Sequence, residues 1–363
     1  MLKILFLSHS FYPQLGGIES NSELLAAAFA AAGHEVHLLT WTEDSTGRSF
    51  PYTVSRNPGI KTLLQAHRRA DLVVENNPCF RLGWPALLFG RPAVMVINTW
   101  ITRPDGKISW RDTLKTSWWL KRCRRVIAVS DAVRKRCWPA ATVIRNPYRA
   151  ADFFIEPSVD RDANFVFLGR LVSDKGANQA IEALYRLHCS LRQERSDRPY
   201  PVLTIIGDGP ERKALEQQTA ALSLEGSVLF TGALKGAPLR EMLNRHRYML
   251  VPSAWEEPFG NVALEGMACG CLPIASDGGG LPEAVGLAGL TFHRNDIDSL
   301  VQCMRRITGD PALEGELRNA IPAHLAAHCP QRVADRYLQV IETAFTEKKH
   351  TDGIRTGAET QQI

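Results

Sequence analysis

The feature that most constrains the fold is a regular alternation of short apolar segments with longer helical ones, which continues through most of the chain. The candidate strands of the first half are Lys3–Ser8, His34–Thr40, Leu72–Glu75, Ala93–Asn98, Val126–Ser130 and Ala141–Arg145. The helix Glu19–Ala32 separates the first two of them, and Gly33 ends it as glycine commonly does. Strands that alternate with helices are typical of a parallel sheet covered on both faces.

A second series of the same kind follows the loop 147–164. Its candidate strands are Phe165–Gly169, Val202–Gly207, Val228–Thr231, Met249–Pro252 and Pro273–Ser276. Its candidate helices are Asn178–Glu194, Glu211–Leu224, Leu239–Arg245, Asn261–Cys269 and Ile297–Thr308. The sequence therefore predicts an α/β protein of two tandem Rossmann-like, doubly wound domains with a cleft between them. Ligands of such sheets bind beyond the carboxyl ends of the strands.

The chain of 363 residues has the length expected of two domains. We expect a first domain over residues 1–155 that binds the acceptor and a second over residues 156–327 that binds a nucleotide. A C-terminal helix over residues 328–346 and a polar, disordered tail over residues 347–363 complete the predicted organisation.

Composition indicates a soluble protein with substantial cores, since 45% of the residues are apolar and 22% are charged. Met1–Leu7 runs into a strand-like segment without a signal-peptide pattern, and no apolar run approaches the roughly 20 residues that span a bilayer. The eight cysteines are scattered without zinc-type spacing. We therefore expect a cytoplasmic protein with reduced thiols.

Charge is distributed unevenly along the chain. Residues 1–150 contain 21 Lys and Arg against 10 Asp and Glu, whereas the remainder contains 22 against 28. This asymmetry favours an anionic partner for the first domain alone.

The most specific motif is the run from Glu257 to Gly270, which follows a predicted strand and enters a helix near Gly260. Glycine at that place leaves the first N–H groups of the helix accessible to phosphate or sugar oxygens. Glu257 precedes the helix, and Glu265 lies about two turns into it. We interpret the two carboxylates as contacts for a sugar and a ribose rather than as solvated acids of an amphipathic helix.

Three further motifs lie where strands end and helices begin. Arg170 and Lys175 follow the first strand of the second domain, a position suited to a diphosphate. Gly207–Pro210 is interpreted mainly as a tight turn. Gly16 and Gly17 begin the first helix of the first domain, where a phosphate site and a merely flexible helix start are both compatible with the sequence.

In combination these motifs resemble the retaining glycosyltransferases of the group 1, family 4 type, which have the GT-B fold. The resemblance covers roughly residues 1–345 and rests on F-Y-P-x-x-G-G-I-E, A-V-S-D-A-V, R-N-P, G-R-L with K-G, G-D-G-P and E-x7-E. It implies transfer of a hexose-type sugar from a UDP- or GDP-sugar, without a metal or other cofactor, to a glycan or lipid-linked acceptor. Polysaccharide, glycolipid or lipopolysaccharide synthesis would be the setting, and the C-terminal helix would return to the first domain.

The resemblance also implies the site residues. The donor site would comprise Gly16, Gly17, Arg170, Lys175, Glu257, Phe259, Gly260, Asn261, Val262 and Glu265. Arg170 and Lys175 would neutralise the diphosphate, Glu257 would contact the sugar, and Glu265 would contact the ribose. The catalytic residues would be Glu257 and Asn98. Asn98 is a departure, because it stands where the family usually has a histidine, and Glu75–Asn77 fills another common histidine position. Asparagine can donate a hydrogen bond but cannot hold a proton at neutral pH.

No metal site is predicted. Asp160–Asp162 and Asp296–Asp298 superficially match an acidic metal motif, but the first lies in the interdomain linker and the second is typical of a helix start. Fixed cations and a helix N-terminus can stabilise a departing diphosphate without a metal.

Other functions stay open on the sequence alone. An epimerase of the same two-domain plan would need an acid/base set acting on the sugar, for which no His/carboxylate cluster is evident. A binding protein for nucleotide sugars without transferase activity is compatible with Asn98. Nucleic-acid binding would explain the basic stretch 101–150, but no recognised nucleic-acid module is present.

The segment Trp110–Trp138 combines four tryptophans with many cations. Helical spacing predicts that Leu114, Trp118 and, less clearly, Trp119 share one side. Such a combination suits a helix at an anionic bilayer surface, and the alternative is that the tryptophans fill the core of the first domain. The first interpretation places the protein peripherally on the inner leaflet of a membrane, next to a lipid-linked acceptor.

Overall fold

The computed structural model of the protein divides into two compact units, Met1–Pro147 with Pro330–Ile363, and Tyr148–Cys329. It describes every residue except Leu15, Ser45, 102–109, 196–198 and 360–363. For residues 110–113, 115 and 348–359 it describes the backbone alone.

The first unit is a parallel sheet with helices along the chain between its strands. Its strands are β1 (Lys3–Ser8), β2 (Glu35–Thr40), β3 (Thr53–Arg56), β4 (Leu72–Asn76), β5 (Ala93–Ile97), β6 (Arg125–Ala128) and β7 (Thr142–Val143). Its helices up to the linker are α1 (Gly17–Ala31), α2 (Ile60–Arg69), α3 (Phe80–Gly83), α4 (Pro85–Leu88), α5 (Trp110–Lys121) and α6 (Asp131–Cys137). Among the described residues the strand order is β3-β2-β1-β4-β5-β6-β7, so the order reverses between β1 and β4.

The second unit repeats the plan. Its strands are β8 (Ala163–Leu168), β9 (Leu203–Ile206), β10 (Val228–Gly232), β11 (His246–Val251), β12 (Leu272–Ser276) and β13 (Leu290–Phe292). Its helices are α7 (Ala177–Gln193), α8 (Arg212–Ala221), α9 (Gly236–Asn244), α10 (Asn261–Ala268), α11 (Leu281–Val285), α12 (Ile297–Gly309) and α13 (Pro311–Ala327). The order β10-β9-β8-β11-β12-β13, with every pair parallel, is that of a Rossmann-like sheet.

Two Rossmann-like units are thus confirmed. The cleft expected between them stays a prediction. In the first sheet the strands β1 and β5 are buried along nearly their whole length, as are β11 and β12 in the second. Because such strands are buried on both faces, their sequences are continuous runs of apolar residues rather than an alternation of apolar and polar ones.

The division between the units falls earlier than the sequence suggested. The segment 148–155 belongs to the second unit, because its end is tied to α9. The Asn244 side chain donates to the carbonyl of Phe154 at 3.0 Å and accepts from the Glu156 N–H at 2.8 Å. The Arg240 guanidinium lies 4.3 Å from the centre of the Phe154 ring. None of these contacts is visible in local sequence.

The last helix, α14 (Pro330–Glu359), groups with the first unit. Its buried residues recur with helical spacing, and they are Val333, Ala334, Tyr337, Leu338, Ile341 and Ala344. The disorder expected over residues 347–363 stays a prediction, since most of that segment lies outside the residues whose side chains are described.

All eight cysteines are free thiols in the structure. In the described ranges, no helix combines the length and the apolar character that crossing a membrane requires.

Candidate functional site

The strand order of the second unit reverses between β8 and β11, and polar residues gather beyond the carboxyl ends of these two strands. Arg170 follows β8, and Ser253 and Glu257 follow β11. Lys175 ends a single 3-10 turn that leads into α7. This is the place at which doubly wound sheets bind their ligands.

Glu257 is held by two side chains. Its Oε1 atom accepts hydrogen bonds from Lys175 Nζ at 2.5 Å and from Ser253 Oγ at 3.0 Å. Its main-chain carbonyl accepts from the Gly280 N–H at 2.7 Å. The structure therefore brings Lys175 and Glu257 into direct contact and fixes the position of the carboxylate.

Glycine at position 176 makes this contact possible. Gly176 has φ +74°, and a Cβ there would lie 1.9 Å from the carbonyl oxygen of Pro252. Only a residue without a side chain lets the Lys175 turn approach the end of β11 so closely. The Lys-Gly pair in the sequence is thus explained by backbone proximity.

The N-terminus of α10 faces the same region of the fold. Gly260, its N-cap, has φ +115° and offers no side-chain cap. A Cβ at Gly260 would come within 2.4 Å of Leu281 Cδ2. Phe259 is buried, with its ring 5.6 Å from that of His328, so its side chain belongs to the core. Asn261 and Val262 form the first turn of α10 and are half-buried.

Glu265 lies on α10, and its carboxylate has Arg149 and Asp152 as charged neighbours. Burial raises the pKa of Glu265 to about 7, although Arg149 opposes this shift and Asp152 adds to it. The Nη2 atom of Arg149 lies 3.7 Å from Glu265 Oε1. Arg149 was not anticipated from the sequence.

Arg170 is exposed, and among the described residues no carboxylate forms an ion pair with it. It is thus a cation at the end of β8 that an anionic ligand can reach. At the neighbouring strand end, Gly207 lets two main-chain segments approach each other, because a Cβ there would lie 1.8 Å from the Gly169 carbonyl oxygen. A Cβ at Gly209 would lie 2.4 Å from the Leu171 carbonyl oxygen, so both glycines have a structural reason in the close approach of main chains.

A further loop supports Glu257 and was missed by sequence reasoning. Gly279 pairs with Glu257 through an isolated parallel bridge. Arg294 donates from its main chain to Asp277 at 2.9 Å and from its side chain to the Ala254 carbonyl at 3.2 Å. The run of three glycines after Asp277, at the end of a strand, is the sequence signal that marks this close approach.

Asn98 lies at the end of β5 in a buried cluster of amides. Its Oδ1 accepts from Asn21 at 2.9 Å, and its Nδ2 donates to Asn76 at 2.6 Å. Asn21 also donates to Asn146 at 3.3 Å. Both ends of the Asn98 amide therefore have partners within the unit, and its catalytic assignment stays a prediction.

Gly16 and Gly17 are exposed at the start of α1. Gly16 is the N-cap and provides no side-chain cap. A Cβ at Gly16 would lie 2.4 Å from the Glu19 carboxylate, so the side chain of Glu19, in the first turn of α1, lies against the main chain at the helix start.

Glu75 serves the structure rather than a ligand. It is fully buried at the end of β4 and forms an ion pair with Arg122. It also accepts hydrogen bonds from Trp119 Nε1 at 2.8 Å and from the Cys79 N–H at 3.2 Å. The Arg122 guanidinium stacks 3.7 Å from the centre of the Trp119 ring.

The two acidic motifs considered as metal ligands have partners of other kinds. Asp162 pairs with Arg245, and Asp296 caps α12 by accepting from the Ser299 N–H at 3.0 Å. Within the described residues, no group of three or more His, Cys, Asp or Glu is arranged to hold a metal ion.

Two family models match the chain. Residues 149–323 match the model for glycosyl transferases group 1, and residues 15–146 match the model for glycosyltransferase family 4.

The chain is similar to a glycogen synthase of Mycobacterium tuberculosis, with 27% identity over 86% of this chain and 87% of the relative. It is also similar to the phosphatidylinositol N-acetylglucosaminyltransferase gpi3 subunit from Schizosaccharomyces pombe, with 26% identity over 84% and 72% of the two chains. Among solved structures, Anabaena Alr3699/HepE in complex with UDP superimposes with a TM-score of 0.79 at 20% identity, over 94% of this chain and 100% of the other.

Proposed function

Because the chain belongs to the group 1 glycosyltransferases of the family 4 type, with the GT-B fold, we propose that it transfers a hexose-type sugar with retention. The donor is a nucleoside diphosphate sugar, UDP- or GDP-linked, and the acceptor is a glycan or a lipid-linked glycan. The observation that carries the proposal is the contact of Lys175 with Glu257. The contact lies beyond the ends of β8 and β11, between which the strand order reverses, and Glu257 shortly precedes the start of α10, which has no side-chain cap.

In this proposal Lys175 and Arg170 bind the diphosphate of the donor. The backbone of Phe259, Gly260, Asn261 and Val262 contributes the positive end of the α10 dipole. That Gly16 and Gly17, at the start of α1, also contact the phosphates stays a prediction. UDP in the similar Anabaena structure supports a nucleoside diphosphate as ligand of this fold.

The chemistry needs no general base from the protein. As the bond between the sugar and the diphosphate breaks, negative charge grows on the leaving phosphate, and fixed cations stabilise that charge. A leaving phosphate oxygen takes the proton of the acceptor hydroxyl, which attacks from the same face of the sugar. Lys175 and Arg170 then fill the role that a divalent cation has in metal-dependent transferases, and no cofactor is needed.

Removing either cation is expected to weaken donor binding. Lys175→Ala or Arg170→Ala should cost about 1.5–3 kcal/mol of nucleoside diphosphate affinity, the scale of a charge-assisted hydrogen bond. Isothermal titration calorimetry measures this loss, with Lys213→Ala as the control because Lys213 is an exposed lysine of α8. Unchanged affinity in both variants would remove these residues from the site.

Donor affinity should depend on pH through Glu265, whose role we propose is to accept a hydrogen bond from the ribose. With a pKa of about 7, the ionised fraction of Glu265 falls from about nine-tenths at pH 8 to about one-tenth at pH 6. The donor KM should therefore rise about tenfold over that range as the pH falls.

The variant Glu265→Gln separates this effect from other titrations. It should raise the donor KM at pH 8, leave kcat close to wild type and abolish the pH dependence between 6 and 8. Glu225→Gln, at an exposed position, is the matched control. A wild-type pH profile in Glu265→Gln would show that another group titrates.

Retention and metal independence are tested together. We expect the product to keep the anomeric configuration of the donor in NMR spectra and expect activity to persist in excess EDTA. An inverted product or complete loss of activity in EDTA would overturn this part of the proposal.

The acceptor and the location of the protein belong to the same proposal. The Schizosaccharomyces pombe relative carries phosphatidylinositol in its name, which supports a lipid-linked acceptor, as in glycolipid, cell-envelope polysaccharide or lipopolysaccharide synthesis. We propose a cytoplasmic protein that works peripherally at the inner leaflet of the membrane.

A further inference from the structure

One face of the first unit exposes large apolar side chains from two separate parts of the sequence. On α5, Leu114 is 60% exposed and Trp118 is 57% exposed. Leu88, at the end of α4, is 67% exposed, and Leu87 and Trp84 beside it are also open to solvent. Exposed apolar groups of this size in one region mark an interaction surface.

The two parts of the sequence are adjacent in the fold. The Trp119 ring, buried beneath α5, lies 4.8 Å from the ring of Phe80 and 6.1 Å from that of Trp118. A Cβ at Gly83 would lie 2.9 Å from Trp119 Cζ2, so α3 packs directly against α5. Leu87 shares one surface cavity with Arg122 and Arg124, which follow α5.

The structure also corrects the expected orientation of α5. Leu114 and Trp118 share its exposed side as predicted, whereas Trp119 is buried and bound to Glu75. Trp110 and Lys115 lie among the residues whose side chains are not described. The apolar face is therefore completed by Trp84 and by Leu87 and Leu88 of α4, for which the sequence carried no prediction.

Cations are the charged groups that the described residues place beside this face. Neither 76–104 nor 113–130 contains an Asp or Glu, while both contain cations. Lys121 is exposed at the end of α5, and Arg124 and Arg91 line the cavity beside Leu87. Glu75 is buried and neutralised by Arg122. Asp105 is outside the described residues, and Asp112 on α5 is among the residues whose side chains are not described.

We propose that this docking face, formed by Trp84, Leu87, Leu88, Leu114 and Trp118, inserts into the headgroup region of an anionic bilayer, with Lys121 and Arg124 contacting lipid phosphates. Tryptophan and leucine beside cations are the combination that binds such an interface. A protein partner of ordinary composition would meet this face with carboxylates or apolar groups at fixed positions, whereas an anionic bilayer matches an apolar patch with cations beside it without such constraints. The inference rests on the proposed function only in that a lipid-linked acceptor gives the face its use.

Sedimentation with liposomes tests the proposal directly. At low salt the full chain should bind vesicles containing 30% phosphatidylserine about tenfold or more tightly than pure phosphatidylcholine, and 0.5 M salt should remove most of the difference. Lys121→Gln and Arg124→Gln should each weaken binding about fivefold. Equal binding to both vesicle types at low salt would overturn the proposal.

The apolar part of the face is tested by Leu88→Glu with Trp118→Glu, which should abolish vesicle binding. Leu287→Glu is the control, because Leu287 is 85% exposed in the second unit. Quenching of tryptophan fluorescence by brominated lipids should fall in Trp118→Phe, a variant that keeps an aromatic ring and tests insertion without added charge. Unchanged quenching in Trp118→Phe would contradict insertion of this face into a membrane. So would a dimer in sedimentation equilibrium that Leu88→Glu dissociates, because a second copy of the chain would then cover the face.

These variants leave the donor site intact. Hydrolysis of the donor in solution without lipid should stay at the wild-type rate in Leu88→Glu with Trp118→Glu. Failure of vesicle binding and failure of the proposed transferase function are therefore distinguishable.

Discussion

Glu257→Gln is expected to lower kcat about 100- to 1000-fold, the scale found when one charged or hydrogen-bonding group aimed at a transition state is removed. The carboxylate is held by Lys175 and Ser253, so its orientation is fixed before substrate binds. Contacts with sugar hydroxyls strengthen as the ring distorts, and a neutral amide cannot supply the same charge. Glutamine has nearly the same shape, so the fold should be unaffected.

The matched control is Glu256→Gln. Glu256 is the preceding residue in the same loop, and its carboxylate lies 3.4 Å from the Arg294 guanidinium. Steady-state kinetics at saturating donor should show kcat within about threefold of wild type for this control. Similar losses in both variants would mean that the loop, rather than the Glu257 carboxylate, is responsible. No loss in Glu257→Gln would remove Glu257 from the reaction.

Arg122→Ala should destabilise the first unit by about 3 kcal/mol, because it leaves a buried carboxylate without its counter-ion. Glu75 is fully buried, and its other hydrogen bonds, from Trp119 and Cys79, are made to neutral groups. Urea unfolding followed by tryptophan fluorescence measures the shift in midpoint.

Arg124→Ala is the control, because Arg124 is half-exposed and lies two residues away. It should change the midpoint little. Combining Arg122→Ala with Glu75→Gln should restore much of the lost stability, since the uncompensated charge is then gone. A loss that persists in the double variant would assign the effect to the stacking of Arg122 on Trp119 instead.

The core strands, and the place in the second unit where the candidate site residues gather, could be predicted from sequence because they rest on local patterns. Apolar runs such as Lys3–Ser8 mark strands buried on both faces, and a glycine before α10 marks an open helix start. Short elements were not predicted, because a few residues do not produce such a pattern. The edge strands β3 and β13 span four and three residues, too few for a periodic signal.

Side-chain partners distant in sequence were beyond local patterns. Arg149 lies 116 positions before Glu265, and Arg294 lies beyond the strand that follows the glycine run. Trp119 illustrates the same limit, because helical spacing alone does not tell which neighbour carries the carboxylate that its N–H needs. Glu75 supplies that carboxylate from β4, 44 positions away.

The central claim is that the chain turns over a nucleoside diphosphate sugar. Its most direct test is the release of nucleoside diphosphate from a panel of UDP-, GDP- and ADP-sugars, measured together with thermal stabilisation for the wild type and Glu257→Gln. We expect one nucleotide class to stabilise both proteins and to be hydrolysed slowly by the wild type alone. Stabilisation without release in the wild type would indicate a binding protein, and neither effect with any donor would contradict the account.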